Sequence, residues 1–588
     1  MSNDVTTPDG GAPTGTPPTS RRRALWVATG VAGLTGVVGL AALGGLAARD
    51  DKPGGTEPVA DNHAAAPQHS DKDSREEGKG DEHGSDGKDR GQEGRDKGEW
   101  GEWGDKDDHG KVRDVPCDDD ALVDALDLTN RDHGGTLKLA ENCTYEVGVK
   151  DRKFGAALPE IKQDVTIKGN GSTIKRDAED TFRIFRVVDG GALTLKDLTV
   201  KGGNANEFKY GGGQGPANGT PADGAALTPM ASGPGGGYEK RGEGDGGALL
   251  VERGGKAHLS QVKLTHNNAE GNGGAIANYG RVWVQDSKVY DNHAQGDGGG
   301  IFNQGVLKVE ESHVDDNTAG GNGGGIANGN GDQHGGHGPA DLAGAEAEKD
   351  AKGGHDKHLA GTVEIIGAHE GKDASLSTLS HNRAGKNGGG LFSSGGFVTV
   401  SFTAIGGNTA CGNGGGVYAE NTDLDLDKVH VAGNHADGNG GGVVVTGGKH
   451  WAGKHNGEAG ATISDSVIVD NTANRFGGGI FNGEWLVKIE DGFLTREHDE
   501  DDNATLTIRD TLVKGNTALN GGGIFNNKAK ITLTKTHVTK NTATDSSKLH
   551  RVAGGVLNNE GHVKLDDESL ISNNDPTNCA NTVEDCFN

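Results

Sequence analysis

The sequence is poor in the residues that usually build a globular core. Aromatic residues make up 4% of the 588 residues, and all hydrophobic residues together reach 31%. Leucine, isoleucine, valine and phenylalanine account for roughly 19%, a share typical of intrinsically disordered chains. Positive charge is also scarce, because 58 Lys and Arg stand against 86 Asp and Glu and leave a formal net charge of −28. A protein that binds nucleic acid by neutralising phosphates is therefore not expected.

Glycine is the abundant residue, with 106 copies, and it recurs in a repeated string. Ten times from Gly246 onward, a glycine pair or triplet is followed by an apolar segment. The strings begin at Gly246, Gly273, Gly298, Gly323, Gly388, Gly414, Gly440, Gly477, Gly521 and Gly554. Ile276 and Ile301 occupy the same position in successive strings and are 25 residues apart. The chain is therefore a repeat protein with a unit of about 25 residues.

Each unit contains three short segments of β-forming residues. In the unit that begins at Gly298 these are 301–303, 306–309 and 313–315, with turn residues between them. Three short strands without helical periodicity bury their alternate side chains when the chain winds into a coil that stacks on its neighbours. The pattern predicts an all-β fold, a parallel β-helix (β-solenoid). About fourteen coils, ~4.8 Å apart, would form a rod on the order of 65 Å long.

A second repeated signal is an apolar residue followed three positions later by asparagine. Stacked at equivalent turns, the asparagine amides would hydrogen-bond along the rod. We expect a structural ladder rather than a binding site. Its members are Asn267, Asn292, Asn317, Asn382, Asn408, Asn434, Asn471, Asn516 and Asn541.

Residues 115–203 lack the glycine string but contain strand-forming segments of the same kind. Asp118 to Leu128 has the apolar spacing of a short amphipathic helix. Because the first coil of a solenoid exposes unpaired strand edges, we expect this helix to cap it.

The glycine strings with their apolar-x-x-Asn elements resemble the repeats of chlamydial polymorphic outer membrane proteins. The segments 134–145 (GGTLKLAENCTY) and 165–174 (VTIKGNGSTI) resemble the start of pectin-lyase-like right-handed β-helix proteins. The resemblance covers about residues 115–575. It implies a right-handed coil and a surface-exposed protein that often works in adhesion. The chain departs from the outer-membrane group by carrying Val, Leu or Ile where Phe is usual before x-x-Asn.

Composition divides the chain into three parts. Residues 1–48 carry Arg21, Arg22 and Arg23 before an uncharged stretch, which predicts a signal peptide resembling the twin-arginine type or, as the alternative, an uncleaved transmembrane anchor. Residues 49–113 are crowded with charged residues and glycine and are expected to form a disordered linker. Residues 114–588 are the predicted β-helix domain. Both readings of residues 1–48 place this domain outside the cytoplasm, secreted or at the cell surface.

Five cysteines in an exported chain imply two disulfide bonds and one free thiol. Cys117 and Cys143 are near neighbours at one end of the repeats, and Cys579 and Cys586 at the other end. We therefore predict these two pairs, with Cys411 unpaired.

Ligand contacts on a repeat fold usually lie on insertions or on one patterned face. Three insertions, at about 329–361, 446–459 and 483–503, are predicted to leave the coils at the same corner, after the first strand. The candidate ligand-contact residues on them are His450, Trp451, His455 and Trp485. Carbohydrate stacking on the tryptophans, metal binding by the histidine pairs and mobile solvated loops are the alternatives, of which solvated loops are favoured. No metal and no cofactor are expected.

Catalytic motifs are weak. Asn421-Thr422-Asp423 and Gly336-His337-Gly338 resemble polygalacturonase strings but occur in the reverse order, so the match is read as accidental and catalytic residues stay unknown. The sequence favours a non-catalytic extracellular β-helix, adhesin-like or binding glycan or matrix, that contacts polysaccharide or cell-surface glycans. Only its N-terminal segment would touch a membrane, and its oligomeric state is open. The alternative is a polysaccharide lyase or glycoside hydrolase on the same fold.

Overall fold

The computed structural model describes residues 110–148, 155–206, 244–330, 360–368, 376–447, 460–484, 487, 505–546, 551–581, 583 and 586. Within them the chain forms 46 strands and one helix. The opening part contains β1 (Lys111–Val115), α1 (Asp119–Arg131), β2 (Gly135–Leu139), β3 (Thr144–Val147), β4 (Asp164–Arg176), β5 (Phe185–Val187), β6 (Ala192–Lys201) and β7 (Asn204–Ala205). The middle part contains β8 (Leu249–Val251), β9 (Lys256–Thr265), β10 (Asn268–Ala269), β11 (Ile276–Asn278), β12 (Arg281–Gln285), β13 (Lys288–Tyr290), β14 (His293–Ala294), β15 (Ile301–Asn303), β16 (Val306–Glu310), β17 (His313–Asp315), β18 (Thr318–Ala319), β19 (Ile326–Asn328), β20 (Thr362–Ile366), β21 (Ser377–Ser380), β22 (Arg383–Ala384), β23 (Leu391–Ser394), β24 (Phe397–Ser401), β25 (Thr403–Gly406) and β26 (Thr409–Ala410). The last part contains β27 (Val417–Glu420), β28 (Asp423–Asp427), β29 (His430–Ala432), β30 (His435–Ala436), β31 (Val443–Thr446), β32 (Gly460–Ser464), β33 (Val467–Val469), β34 (Thr472–Ala473), β35 (Ile480–Gly483), β36 (Thr505–Arg509), β37 (Leu512–Lys514), β38 (Thr517–Ala518), β39 (Ile524–Asn527), β40 (Lys530–Thr534), β41 (His537–Thr539), β42 (Thr542–Ala543), β43 (Val556–Asn559), β44 (His562–Leu565), β45 (Leu570–Ser572) and β46 (Cys579–Ala580).

The strands form a right-handed parallel β-helix with three sheets. Sheet 1 has 24 strands, including β16 and β17; sheet 2 has 10, including β18; sheet 3 has 12, including β15. Each strand pairs in parallel with its equivalent one coil away, so that Ile276, Ile301 and Ile326 form a column. The three strands expected per unit are confirmed. Ten of the described coils also contain a fourth strand of two residues, such as β18, which is too short to show alternation in the sequence.

Sheet 1 contains fourteen successive rungs in the described part of the chain, which agrees with the predicted number of coils. They are β1, β2, β4, β6, β9, β12, β16, β20, β24, β28, β32, β36, β40 and β44. The first rung begins at Lys111, inside the segment 49–113 that was expected to be disordered. That expectation is corrected at its C-terminal end, because Val115 is buried and each residue from Lys111 to Val115 pairs with β2.

The core is a set of columns along the coil axis. In β16 the alternation places Leu307 and Val309 inward, each 0% exposed, while Lys308 points outward. Burial of one such side chain contributes ~1.5–3 kcal/mol. A coil therefore needs only a few apolar residues, which explains how a chain with so few of them folds.

The asparagine ladder is confirmed. The side-chain amide of Asn267 donates to Oδ1 of Asn292 at 3.0 Å, and Asn292 donates in turn to Asn317 at 3.0 Å. The same bond continues through all nine predicted members and reaches Asn574. Each ladder oxygen also accepts the backbone N–H of the preceding member, as Asn292 Oδ1 does from Asn267 at 3.0 Å. These bonds satisfy buried polar groups at every turn.

The glycine string builds the corner between sheets 2 and 3. Gly298 has a φ of +71°, which an L-residue adopts at a cost. A Cβ on Gly299 would lie 2.4 Å from the carbonyl oxygen of Gly324 in the next coil, so only glycine fits there. The turn lies against the outer face of sheet 3, since a Cβ on Gly388 would come within 2.7 Å of the Phe392 Cβ. Aromatic side chains on this outer face are thereby buried, and Phe481 is 0% exposed.

Both ends of the solenoid carry a disulfide bond, as predicted. Cys117 pairs with Cys143 and Cys579 with Cys586, while Cys411 is free and exposed. The predicted helix is confirmed as α1, with Asp118 as its N-cap accepting the backbone N–H of Ala121 at 2.8 Å. It contacts β1, β2 and β3 and therefore covers the first coils. In the described part of the chain no helix is long and apolar enough to span a membrane, and residues 1–48 lie outside it.

Candidate functional site

The three predicted insertions leave the coils at one corner. They follow β19, β31 and β35, all in sheet 3, and the chain returns at β20, β32 and β36, all in sheet 1. Val487, a described residue of the third insertion, packs against the apolar outer face of sheet 3. The candidate residues His450, Trp451, His455 and Trp485 lie outside the described residues, so their role stays a prediction.

A site that the sequence search missed lies on the outer face of sheet 1. In β12 (RVWVQ), Val282 and Val284 are buried in the core, and the alternate residues Arg281, Trp283 and Gln285 point outward. The neighbouring rungs β9 and β16 place their own alternate residues beside them. We call this surface the Trp283 face; its outward residues are Lys256, His258, Ser260, Arg281, Trp283, Gln285, Val306, Lys308 and Glu310.

Aromatic and charged groups stack along the Trp283 face. The rings of His258 and Trp283 are parallel within 16°, with centroids 4.4 Å apart. Lys308 Nζ lies 5.3 Å from the Trp283 centroid, a cation–π distance. Trp283 Nε1 donates to Glu310 Oε2 at 3.0 Å, and Lys308 forms an ion pair with the same carboxylate at 3.3 Å. The stack is therefore held in one geometry by three successive rungs.

A cavity of about 390 Å³ adjoins this stack. Lys256, Tyr279, Arg281 and Val306 line it together with three glycines at the corner between sheet 3 and sheet 1. The Tyr279 hydroxyl donates to the carboxylate of Asp245, which fixes the ring at the cavity wall. The cavity thus combines two cationic side chains, an aromatic ring and exposed backbone, although the whole protein is strongly acidic.

A buried cation, Arg183, lies near Asp245 and Tyr279. Burial lowers the pKa of Arg183 to about 10, which leaves it protonated at neutral pH, and the charge of Asp245 opposes the lowering. Arg186, two strands away from Tyr279 in sheet 3, forms ion pairs with Glu160 at 3.3 Å and with Glu252. The charge of Arg183 therefore attracts Asp245, the carboxylate that accepts from the Tyr279 hydroxyl.

A second group of polar residues lies farther along sheet 1, on β28. Asp423, Asp425 and Asp427 alternate with buried leucines and point outward. Burial raises the pKa of Asp425, and the charges of Asp427 and Asp423 add to the shift. Burial also raises the pKa of Asp423, the residue of the polygalacturonase-like string. His337 of the second string lies outside the described residues.

The Trp283 face could have been found from the sequence. Alternation in RVWVQ places two valines on one side of the strand and therefore Trp283 on the other. The cavity could not be found this way, since Tyr279 and Lys256 meet only through the coil register.

Comparison with solved structures finds similar chains at low sequence identity. The A-module of the mannuronan C-5 epimerase AlgE6 of Azotobacter vinelandii is 13% identical, with a TM-score of 0.34 over 80% of this chain and 98% of that chain. PfbA, a surface adhesin of Streptococcus pneumoniae, is 11% identical, with a TM-score of 0.34 over 77% of this chain and 88% of that chain. No family model and no curated protein sequence matches the chain.

Proposed function

We propose that the protein is an extracellular, non-catalytic β-helix that binds glycan through the Trp283 face. The observation that carries the proposal is the convergence of an aromatic stack and cationic side chains from three rungs beside a cavity. Sugars present C–H surfaces and hydroxyl groups together, and binding sites for such ligands combine aromatic rings with a few placed polar groups.

A ligand reaches the Trp283 ring by displacing one of the groups that cover it. His258 covers one face of the Trp283 ring and the Lys308 ammonium lies over the other. A sugar ring that stacks on this face of Trp283 takes the place of the Lys308 ammonium in the cation–π contact. The displaced ammonium, still near Glu310, then donates to sugar hydroxyl groups.

The extracellular location rests on the disulfides and on the N-terminal sequence. Two disulfide bonds are typical of oxidising compartments. Residues 1–48 fit a signal peptide or anchor, and residues 49 to about 110 would then hold the β-helix away from the envelope.

Glycan-array binding of the exported protein tests the function. We expect Trp283→Ala to lower affinity for the bound glycan about tenfold or more, because it removes the centre of the stack. Thr507→Ala is the matched control, since Thr507 occupies the equivalent outward position on β36. Retention of glycan binding in Trp283→Ala, or absence of any glycan bound by the native protein, would contradict the proposal.

A second candidate function is glycoside hydrolysis or lyase cleavage at β28. Asp423 and Asp425 lie on one face of a strand, and glycosidases use a pair of neighbouring carboxyl groups as acid and base or nucleophile. Phe397, 43% exposed, pairs with Asp423 on the adjacent rung. Incubation with pectin, alginate and glycosaminoglycans distinguishes this function: new reducing ends or unsaturated products that disappear in Asp425→Asn would favour it.

A further inference from the structure

Four polar side chains form a network on sheet 1, outside the Trp283 face. His313 and Asp315 lie on β17, and Thr378 and Ser380 lie on β21, the next rung. The strand register pairs His313 with Thr378 and Asp315 with Ser380.

Asp315 is the acceptor of this network. Its two carboxylate oxygens each accept from Thr378 Oγ1 at 2.9 Å. Oδ1 also accepts from the backbone N–H of Ser380 at 2.9 Å and from its hydroxyl at 2.7 Å. A hydroxyl group has a single proton, so the proton of Thr378 is engaged with Asp315.

The network fixes the tautomer of His313. Thr378 Oγ1 lies 2.8 Å from His313 Nδ1, and since the threonine proton points to Asp315, Nδ1 carries the proton of this bond. In the neutral ring Nε2 is then an acceptor. Burial lowers the pKa of His313, the charge of Asp315 opposes this, and Lys288 lowers it further, so the neutral ring predominates at neutral pH. The side chain is 34% exposed and within reach of a ligand.

Two lysines continue the column in which His313 lies. Lys288 pairs with His313 on the preceding rung, and Lys263 pairs with Lys288 one rung earlier. With rungs ~4.8 Å apart, one imidazole acceptor and two ammonium donors are within reach of one small ligand. Such a ligand must carry negative charge for the lysines and an O–H donor for Nε2. Sulfate and ordinary carboxylates lack that O–H at neutral pH, and the lysines repel metal cations.

We propose that His313, Lys288 and Lys263 bind a protonated oxyanion, with hydrogen phosphate as the ligand. Its O–H donates to Nε2 of His313, and its charged oxygens accept from the two ammonium groups. Thr378 and Asp315 are positioning residues, because they act through His313. This site is independent of the glycan-binding face.

NMR of the full chain with ¹⁵N-labelled histidine at pH 7.5 tests the proposal. The His313 signals are assigned by their loss in His313→Gln. We expect the Nδ1–H tautomer before ligand is added and a saturable shift on titration with sodium phosphate. Sodium sulfate at equal ionic strength should bind about tenfold more weakly, because it cannot donate to Nε2. Sodium hydrogen carbonate, which also carries an O–H, distinguishes the two protonated oxyanions.

Variants separate the roles of the residues. We expect Lys288→Gln to weaken phosphate binding about fivefold or more, and Thr378→Val to shift the tautomer and weaken binding while the fold is kept. His430→Gln is the matched control, since His430 lies in the same column between Ala404 and Val467 and should leave the affinity unchanged. Equal affinity for sulfate, a ligand-free Nε2–H tautomer, no saturable response, or tighter binding of hydrogen carbonate would each overturn the assignment.

Discussion

At the scale of single residues, the asparagine ladder stabilises the turns of the solenoid. The residue before each ladder asparagine adopts positive φ in most coils, as His266 does at +54° and Asp291 at +54°. That conformation costs ~1–2 kcal/mol for an ordinary L-residue, though less for Asn and Asp. The ladder offsets the cost, because each amide bonds both to the next asparagine and to backbone groups.

Removing one member of the ladder tests its contribution. Asn408→Ala would remove the acceptor of the Asn382 backbone N–H and the side-chain donor to the carbonyl of Leu379. Each buried group left unsatisfied costs ~1–3 kcal/mol, so we expect the free energy of unfolding to fall by about 3 kcal/mol. Urea unfolding measures the change. Asn268→Thr, at an exposed strand position, should stay within about 0.5 kcal/mol; an equal loss in both variants would contradict the role of the ladder.

The raised pKa of Asp425 predicts a pH dependence of stability. Because burial raises the folded-state pKa, the folded state binds the proton more tightly than the unfolded state. Stability is therefore lost as pH rises from the unfolded pKa through the folded pKa. We expect Asp425→Asn to raise the urea midpoint at pH 7 and to have no such effect at pH 3. Asp291→Asn, at an exposed turn, is the control. An unchanged urea midpoint at pH 7 would mean that burial of the charged Asp425 carboxylate does not destabilise the fold.

At the scale of elements, some features of the fold could be predicted from the sequence and others could not. The glycine string was recognised because it repeats, and the strands of sheet 1 were predicted because their apolar residues alternate. The two-residue strands of sheet 2 carry no period and were missed. Trp283 lies within a regular strand, and the search for ligand contacts on insertions overlooked it. The His313 network joins residues that are 65 positions apart and meet only through the pairing of strands in successive coils. No local sequence pattern therefore predicts it.

Two glycine substitutions separate steric fit from backbone conformation. Gly299→Ala would place a Cβ 2.4 Å from two backbone atoms, so we expect a loss of about 3 kcal/mol or more, or failure to fold. Gly433 has a φ of +63° but open space around its Cβ position, so Gly433→Ala should cost only about 1 kcal/mol. Thermal unfolding by circular dichroism compares them. Similar losses of stability in both variants would show that close packing between coils is not the reason why glycine is required at the corner.

At the scale of the whole molecule, each coil of the described solenoid contacts its neighbours, and stability accumulates along the axis. In such a fold the terminal coils have a neighbour on one side only and open first. The helix α1 and the Cys117–Cys143 bond lie at one end, and the Cys579–Cys586 bond lies at the other. The cross-links are therefore placed where local opening is easiest.

Removing the first cross-link should loosen one end and leave the middle unchanged. With a sequence separation of 26, the Cys117–Cys143 bond restricts the unfolded chain by about 3.5 kcal/mol in the loop-entropy model. In Cys117→Ser/Cys143→Ser we expect faster amide hydrogen exchange in β1 to β4, while β24 and β28 keep their protection. Cys411→Ser, which removes the exposed free thiol, is the control and should exchange as the native protein does. Loss of protection along the whole rod would contradict this account, since it would mean that the coils unfold as one cooperative unit.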